Sequence, residues 1–233
     1  MKDAVIVITG GFGVLGQAVA REFLALGSTV CLVGRGDGTQ LADEIRDAGA
    51  MILPGVDVAD ESAATAAVRK IEERFSAIDV LLNIAGAFKW AKVEAGADAD
   101  WADLWRANLQ TALVMSRAAL PALQRTARAG RIINVGAVGA VEAGSGMGPY
   151  AASKAAVLKL TEALAREQYH HGITVNAVLP TTIDTPANRR DMPKADFARW
   201  VRPSALAKVI AFLASPDSQA ITSAGIPVRG GVF

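Results

Sequence analysis

An apolar run that leads directly into a glycine-rich turn lies near the start of the chain and decides the fold. It consists of Ala4-Val5-Ile6-Val7-Ile8-Thr9-Gly10-Gly11-Phe12-Gly13-Val14-Leu15-Gly16. The run is typical of a buried strand, and the amphipathic stretch Gln17–Leu26 that follows is typical of a helix. Glycines let the backbone turn tightly and approach a pyrophosphate, which a helix N-terminus binds. The spacing Gly11-x-Gly13-x-x-Gly16 therefore predicts a dinucleotide-binding turn, with a tight turn that binds nothing as the alternative.

Short apolar runs alternate with longer amphipathic stretches along the rest of the chain. Strands are predicted at Ala4–Thr9, Thr29–Gly34, Met51–Val56, Val80–Ile84, Arg131–Val135, Ile173–Leu179 and near Gly225–Val228, and further helices at Gln40–Ala48, Ser62–Phe75 and Ala151–Tyr169. This order predicts an α/β protein with a doubly wound parallel sheet of about seven strands, in a single domain spanning residues 1–233. Ligands bind at the carboxyl ends of such strands, so the irregular stretches Ala85–Asp100, Gly136–Gly148 and Pro180–Pro203 are the expected walls of a site.

The composition narrows the classes of function. Of 233 residues, 52% are hydrophobic, and 24 basic side chains nearly balance 23 acidic ones. A large core can form, but no basic surplus exists for binding nucleic acid. One cysteine forms no internal disulfide, and no apolar run is long enough for a signal peptide or a membrane span, so we expect a cytoplasmic protein without a membrane partner. His170 and His171 have no third ligand in register, so no metal site is expected.

The end of the second predicted strand bears on the choice of cofactor. An acidic residue there would hold the ribose 2′-hydroxyl of NAD, but the chain has Gly34 followed by Arg35. A guanidinium can pair with the 2′-phosphate of NADP. The sequence thus favours NADP(H), while the nearby Asp37 leaves NAD(H) open, and Arg35 as a solvated loop cation is the alternative.

Tyr150 and Lys154 are four residues apart at the start of the strongest predicted helix, so both side chains lie on one helix face. A free tyrosine titrates near pH 10 and is a poor acid or base at neutral pH. A nearby ammonium and a cationic nicotinamide are expected to lower the pKa of Tyr150 and so to suit it for proton transfer. Because this spacing also arises by chance, Tyr150 and Lys154 indicate a catalytic pair only in combination with the glycine-rich turn.

These residues together resemble the short-chain dehydrogenase/reductase family over essentially the whole chain. Further motifs that carry the resemblance are Asp57-Val58, Asn83-Ile84-Ala85-Gly86, Asn108, Asn176-Ala177-Val178-Leu179-Pro180 and Thr185. The resemblance implies a Rossmann-like fold that carries its own catalytic site, an NAD(P)-dependent oxidoreductase acting on a small molecule, and a homodimer or homotetramer packed through the helices around Leu104–Leu123 and Ala151–Arg166.

The resemblance also implies a role for individual residues. Tyr150 would move the proton, Lys154 would hold the nicotinamide ribose, and Asn108 would anchor a water in the proton relay. Asp57 and Val58 would border the adenine. The full set of implied cofactor-binding residues is Gly10, Gly11, Phe12, Gly13, Val14, Leu15, Gly16, Arg35, Asp57, Val58, Asn83, Ala85, Gly86, Tyr150, Lys154, Pro180, Ile183 and Thr185.

The main departure from the family is Ala137, at the position of its catalytic serine, since a methyl group cannot donate a hydrogen bond to a substrate carbonyl. Ser145 could substitute, or the substrate does not need the serine. The dihydropteridine reductases of the family fit the second case, because they share the alanine, the Gly10–Gly16 turn and most of the segment Leu179–Phe197. Hydride transfer to a cyclic, conjugated, dihydropteridine-like substrate is therefore the main expectation.

Two other functions stay open at the level of sequence. One is an NADP-dependent ketone or 3-oxoacyl reductase, and the other is a catalytically weak NADP-binding sensor or interaction protein. We expect Ala137 and Ser145 to lie near the substrate. Trp90 and Trp200 are candidates to stack on a planar substrate ring. The alternative for both tryptophans is packing in the core or in a subunit contact.

Overall fold

The computed structural model describes residues 1–126 and 128–231, which form a single domain around one parallel seven-stranded sheet. Its strands are β1 (Val5–Thr9), β2 (Thr29–Val33), β3 (Met51–Leu53), β4 (Val80–Asn83), β5 (Arg131–Val135), β6 (Thr174–Pro180) and β7 (Gly225–Val228). Their spatial order is β3-β2-β1-β4-β5-β6-β7. The predicted doubly wound, Rossmann-like sheet of seven parallel strands is confirmed.

In the described part of the chain, eight α-helices connect the strands, and a π-helical turn (Arg106–Gln110) follows the fourth. They are α1 (Val14–Ala25), α2 (Asp43–Asp47), α3 (Glu61–Phe75), α4 (Asp98–Trp105), α5 (Thr111–Arg125), α6 (Gly148–Glu167), α7 (Pro186–Asp191) and α8 (Pro203–Ala214). Alternate strand residues face opposite helix layers: Ile6 and Ile8 pack with α1 and α8, whereas Val5 and Val7 pack with α3 and α5. Both faces of the sheet are thus covered, as the apolar strands require.

The predicted boundaries differ from the observed ones where glycine and proline set the end. Helix α1 begins at Val14, three residues before the predicted start, because the glycine turn passes directly into the helix. Strand β3 ends at Leu53, since Pro54 and Gly55 turn the chain and Gly55 has a positive φ of 70°. The predicted site walls contain short helices, among them α7. Within residues 1–126 and 128–231, no helix is long and apolar enough to cross a membrane.

Candidate active site

The glycine-rich turn joins β1 to α1 and leaves the start of the helix open. Gly10 has a positive φ of 64°, and a Cβ atom there would lie 2.8 Å from the amide nitrogen of Ala85. A Cβ on Gly16 would lie 2.5 Å from the carbonyl oxygen of Gly10. Gly13 caps α1 without any side-chain hydrogen bond, so the N–H groups of the first helical turn stay available to an anion. Gly13 and Val14 are exposed, whereas Phe12 and Leu15 are buried.

The end of β2 has no room for an acidic side chain at position 34. A Cβ on Gly34 would lie 2.8 Å from the Phe12 ring, which covers this position. The next side chain, Arg35, is exposed and forms no hydrogen bond or ion pair with another described residue. Asp37 instead accepts hydrogen bonds from the backbone N–H and the hydroxyl of Thr39, which lower the pKa of its carboxyl. Arg35 therefore places a positive charge at this edge, and the ionised carboxylate of Asp37 is held by Thr39 two residues further along.

Tyr150 and Lys154 lie in the first turns of α6, which begins with Gly148 and Pro149. Lys154 is buried, and its ammonium Nζ donates a 2.7 Å hydrogen bond to the carbonyl oxygen of Val135 at the end of β5. A Cβ on Gly86 would lie 3.2 Å from this Nζ and 2.7 Å from Oδ1 of Asn108. The glycine after β4 is thus the place where the side chains of Lys154 and Asn108 come together.

Asn108 lies in the π-helical turn, where one extra residue per turn alters the direction of the helix face. Its Oδ1 accepts a hydrogen bond from the N–H of Ala87, and its Nδ2 donates to the carbonyl oxygen of Ala87. The same Nδ2 donates to the hydroxyl of Ser153, which in turn donates to the carbonyl oxygen of Tyr150. This chain of bonds joins three segments of the site at fixed positions.

Burial is the main influence on the pKa values of the two ionisable groups at the start of α6, the phenol of Tyr150 and the ammonium of Lys154. It raises the pKa of Tyr150 to about 12 and lowers the pKa of Lys154 to about 8. The expected lowering of the tyrosine pKa is thus wrong for the protein by itself, because loss of hydration outweighs the influence of the lysine. At neutral pH the phenol keeps its proton, and efficient proton donation requires that a bound cofactor and substrate bring this pKa closer to neutrality.

Ala137 follows β5 and is buried in an extended conformation directly before a short helical turn, Val138–Ala140. Its methyl group offers no hydrogen bond at the position of the family's serine. Ser145, the candidate substitute, is exposed, and no hydrogen bond joins its hydroxyl to Tyr150, Lys154 or Asn108 in the described part of the chain. The structure therefore does not bring Ser145 into the Tyr150 network.

Two residues expected to contact the adenosine have their side chains in the core. Val58 is buried in the cluster below β1 and β2. Asn83 donates from Nδ2 to Asn134 Oδ1 at 2.9 Å and to the hydroxyl of Ser116 at 3.1 Å, so its side chain supports the sheet. The implied contacts of Val58 and Asn83 with the cofactor stay predictions. Asp57 is partly exposed, and its carboxylate accepts a 2.9 Å bond from Arg106.

The segment after Pro180 folds over the end of β6. Thr185 caps α7 by accepting a hydrogen bond from the N–H of Asn188, and half-buried Ile183 pairs with Val201. Trp200 is only 9% exposed and packs against Phe197 with ring centroids 4.7 Å apart. Its candidate role in stacking on a substrate is therefore corrected to packing.

Two residues of the site escaped the sequence analysis. Ser153 links Asn108 to Tyr150, and its place one turn after Tyr150 on α6 was the available signal. Phe88 makes an edge-to-face contact with Tyr150, with ring centroids 4.9 Å apart. It lies in a predicted wall of the site beside Trp90, which remains 57% exposed as a stacking candidate would be.

Comparison with known proteins identifies the family. Residues 4–196 match the family described as short chain dehydrogenase. The chain belongs to this family. It is 32% identical to the 3-oxoacyl-[acyl-carrier-protein] reductase of Pseudomonas aeruginosa, over 100% of this chain and 98% of that protein. It is 34% identical to the meso-2,3-butanediol dehydrogenase of Serratia marcescens, over 98% and 94% of the two chains.

A solved structure agrees with this membership of the short-chain dehydrogenase family. The carveol dehydrogenase of Mycobacterium avium, in complex with NAD, matches with a TM-score of 0.90 and 26% identity over 99% of this chain and 98% of that one. The chain is an NAD(P)-dependent oxidoreductase. The open N-terminus of α1, the close packing of Gly10 and Gly16 and the exposed Arg35 fit such a dinucleotide.

Proposed function

We propose that the protein is an NADP(H)-dependent reductase of a neutral carbonyl compound, either a ketone or a 3-oxoacyl thioester. The observation that carries this proposal is that the side chains of Lys154 and Asn108 meet beside Gly86 at the carboxyl ends of β4 and β5, one helical turn from Tyr150 on α6. The relatives in Pseudomonas aeruginosa and Serratia marcescens, named for a 3-oxoacyl and a butanediol substrate, support it.

The chain's own residues supply the proton and the orientation. When bound, the nicotinamide cofactor supplies the hydride that attacks the carbonyl carbon. Tyr150 donates its phenolic proton to the carbonyl oxygen, which becomes the hydroxyl of the product alcohol. Lys154 would hold the nicotinamide ribose, and its bond to Val135 fixes the ammonium. Asn108 would anchor a water that returns a proton towards the site.

The preference for NADP(H) is part of the proposal. Arg35 is exposed at the end of β2, and the Phe12 ring covers the position where an acidic residue would bind the ribose of NAD. A guanidinium forms strong, charge-assisted hydrogen bonds with phosphate. Arg35 would therefore pair with the 2′-phosphate.

Replacing Tyr150 by phenylalanine tests the proposal. Tyr150→Phe should bind NADPH as the wild type does, while kcat with butane-2,3-dione or an acetoacetyl thioester falls about 10²- to 10⁴-fold, since a positioned proton donor contributes that much. The other tyrosine, Tyr169, is 70% exposed, so Tyr169→Phe is the matched control and should keep full activity. Fluorescence titration gives the affinity and NADPH oxidation gives the rate. Full activity of Tyr150→Phe would refute the proposal, and a wild type that binds NADPH but reduces no substrate would favour a sensor.

Ala137 favours a second candidate, the reduction of a conjugated, dihydropteridine-like ring. Such a ring delocalises the electrons it receives and needs no hydroxyl donor at position 137. Ala137→Ser restores the donor and should raise the rate on butane-2,3-dione by roughly tenfold or more if ketones are poor substrates for lack of it. The rate on quinonoid dihydropterin, measured beside it, should then be high in the wild type and unchanged in the variant. A wild type inactive on the pterin would remove this candidate.

A further inference from the structure

Phe88 presents a largely open aromatic surface beside the proposed proton donor. Its ring contacts the Tyr150 ring edge-to-face, at 4.9 Å between centroids and 80° between planes, yet 57% of Phe88 is exposed. Exposure of a phenyl ring to water is unfavourable, and an aromatic group beside a binding cleft is a natural contact for an apolar ligand. The uncovered part of Phe88 is thus available to a substrate that reaches Tyr150.

The segment that carries Phe88 is held in place from both sides. Lys89 forms an ion pair with the buried carboxylate of Asp100, on α4. The N–H of Ala91 donates a 2.8 Å hydrogen bond to the carbonyl oxygen of Gly146. The Trp90 indole packs so closely on Gly146 that a Cβ there would lie 2.0 Å from Nε1. The backbone that carries the two aromatic rings is therefore held on both sides in the protein without a ligand.

Two further segments add apolar groups near Tyr150. A Cβ on Gly139 would lie 3.8 Å from the Tyr150 ring and 2.7 Å from the methyl group of Met147. Ala137 adds a methyl group at the end of β5. Phe88 and Gly139, which lie against the Tyr150 ring, carry no charge. These contacts favour an uncharged, apolar group on this side of the phenol.

We infer that Phe88 and Trp90 form an aromatic wall that selects a flat, uncharged ring as the substrate, with Phe88 as the residue that determines the specificity. The inference rests on the proposed carbonyl reductase function and narrows its substrate class to ring ketones. A flat ring can stack on or meet the edge of both side chains at low conformational cost, whereas an open chain covers less of them. One aromatic contact changes affinity about two- to tenfold.

The test compares two uncharged diones of different shape. Isatin is a flat ring dione and butane-2,3-dione is open-chain. Phe88→Ala should raise KM for isatin about tenfold and leave KM for butane-2,3-dione unchanged, and Phe88→Leu, which keeps apolar volume, should fall between. Trp90→Ala should act in the same direction. Phe212 is 47% exposed on α8, so Phe212→Ala is the matched control and should change neither value.

The outcomes separate this inference from the proposed function. Equal KM changes for both diones in Phe88→Ala, or no change for either, would overturn the aromatic wall while leaving the carbonyl reductase intact. If the wild type reduces neither dione and no acetoacetyl thioester, the proposed function fails, and calorimetric titration of isatin into the NADP⁺-loaded protein then decides. Weaker isatin binding by Phe88→Ala than by Phe212→Ala supports the wall, and equal binding refutes it. Thermal melting of each variant confirms folding.

Discussion

At the scale of single residues, Arg35 is the most informative side chain for the cofactor. It is exposed at the end of β2 and follows Gly34, where the Phe12 ring fills the space that a side chain would need. Arg35→Ala should raise KM for NADPH about tenfold or more and leave KM for NADH nearly unchanged, because hydrogen bonds to a charged phosphate contribute about 1.5–3 kcal/mol. Initial rates with both cofactors measure the effect.

The control for this change is another exposed arginine away from the turn. Arg69 lies on α3 with a side chain that is 74% exposed, so Arg69→Ala removes the same charge elsewhere. It should affect neither cofactor. An equal increase of both KM values in Arg35→Ala would mean that the guanidinium does not recognise the 2′-phosphate.

At the scale of elements, the turn between β1 and α1 combines two different uses of glycine. Gly16 is packed against the turn, with a Cβ position 2.5 Å from the Gly10 carbonyl oxygen, whereas Gly13 has only one neighbour, at 3.4 Å, and is exposed. Gly16→Ala should lower the free energy of unfolding by about 1–3 kcal/mol and weaken NADPH binding. Gly13→Ala should keep the stability and weaken binding alone, since its methyl group would meet the pyrophosphate.

Urea unfolding and NADPH titration distinguish these two effects. If Gly13→Ala binds NADPH as the wild type does, the pyrophosphate does not lie over Gly13. If Gly16→Ala is as stable as the wild type, the turn relaxes more easily than its packing indicates.

The same elements indicate what a sequence can predict about a site. The spacing of Tyr150 and Lys154 places both on one face of α6 because helix geometry is local. The link from Asn108 through Ser153 to Tyr150 depends on a π-helical turn packed against α6, a tertiary contact that no local pattern encodes. The side-chain direction of Asn83 and the pKa of Tyr150 depend likewise on what surrounds each group in three dimensions.

At the scale of the whole molecule, the fold followed from the sequence because the central strands are covered on both faces. Runs such as Val5–Thr9 and Thr174–Pro180 are buried throughout, and continuous apolar runs are the signature of a central parallel strand. The edge strand β7 is half exposed, and its position depends on pairing with β6 rather than on its own pattern. Lys154, the lysine of the candidate site, is also buried.

Burial of Lys154 links the site to the stability of the whole protein. Its pKa is lowered from 10.5 to about 8 by burial. Below about pH 8 the ammonium is charged in both the folded and the unfolded protein, and its burial costs stability in full. Between about pH 8 and 10.5 the unfolded chain binds a proton that the folded protein does not, so the contribution of Lys154 to stability rises with pH.

Comparison of Lys154→Met with the wild type isolates this contribution, because the other titrating groups are shared. The free energy of unfolding of the wild type relative to the variant should rise by roughly 3 kcal/mol from about pH 7 to about pH 10.5. Urea unfolding across this range measures the difference. Lys159→Met, an exposed lysine on the same helix, should give a difference that is nearly independent of pH. A flat difference for Lys154→Met as well would mean that the ammonium is hydrated, and a falling one would mean that a carboxylate raises its pKa.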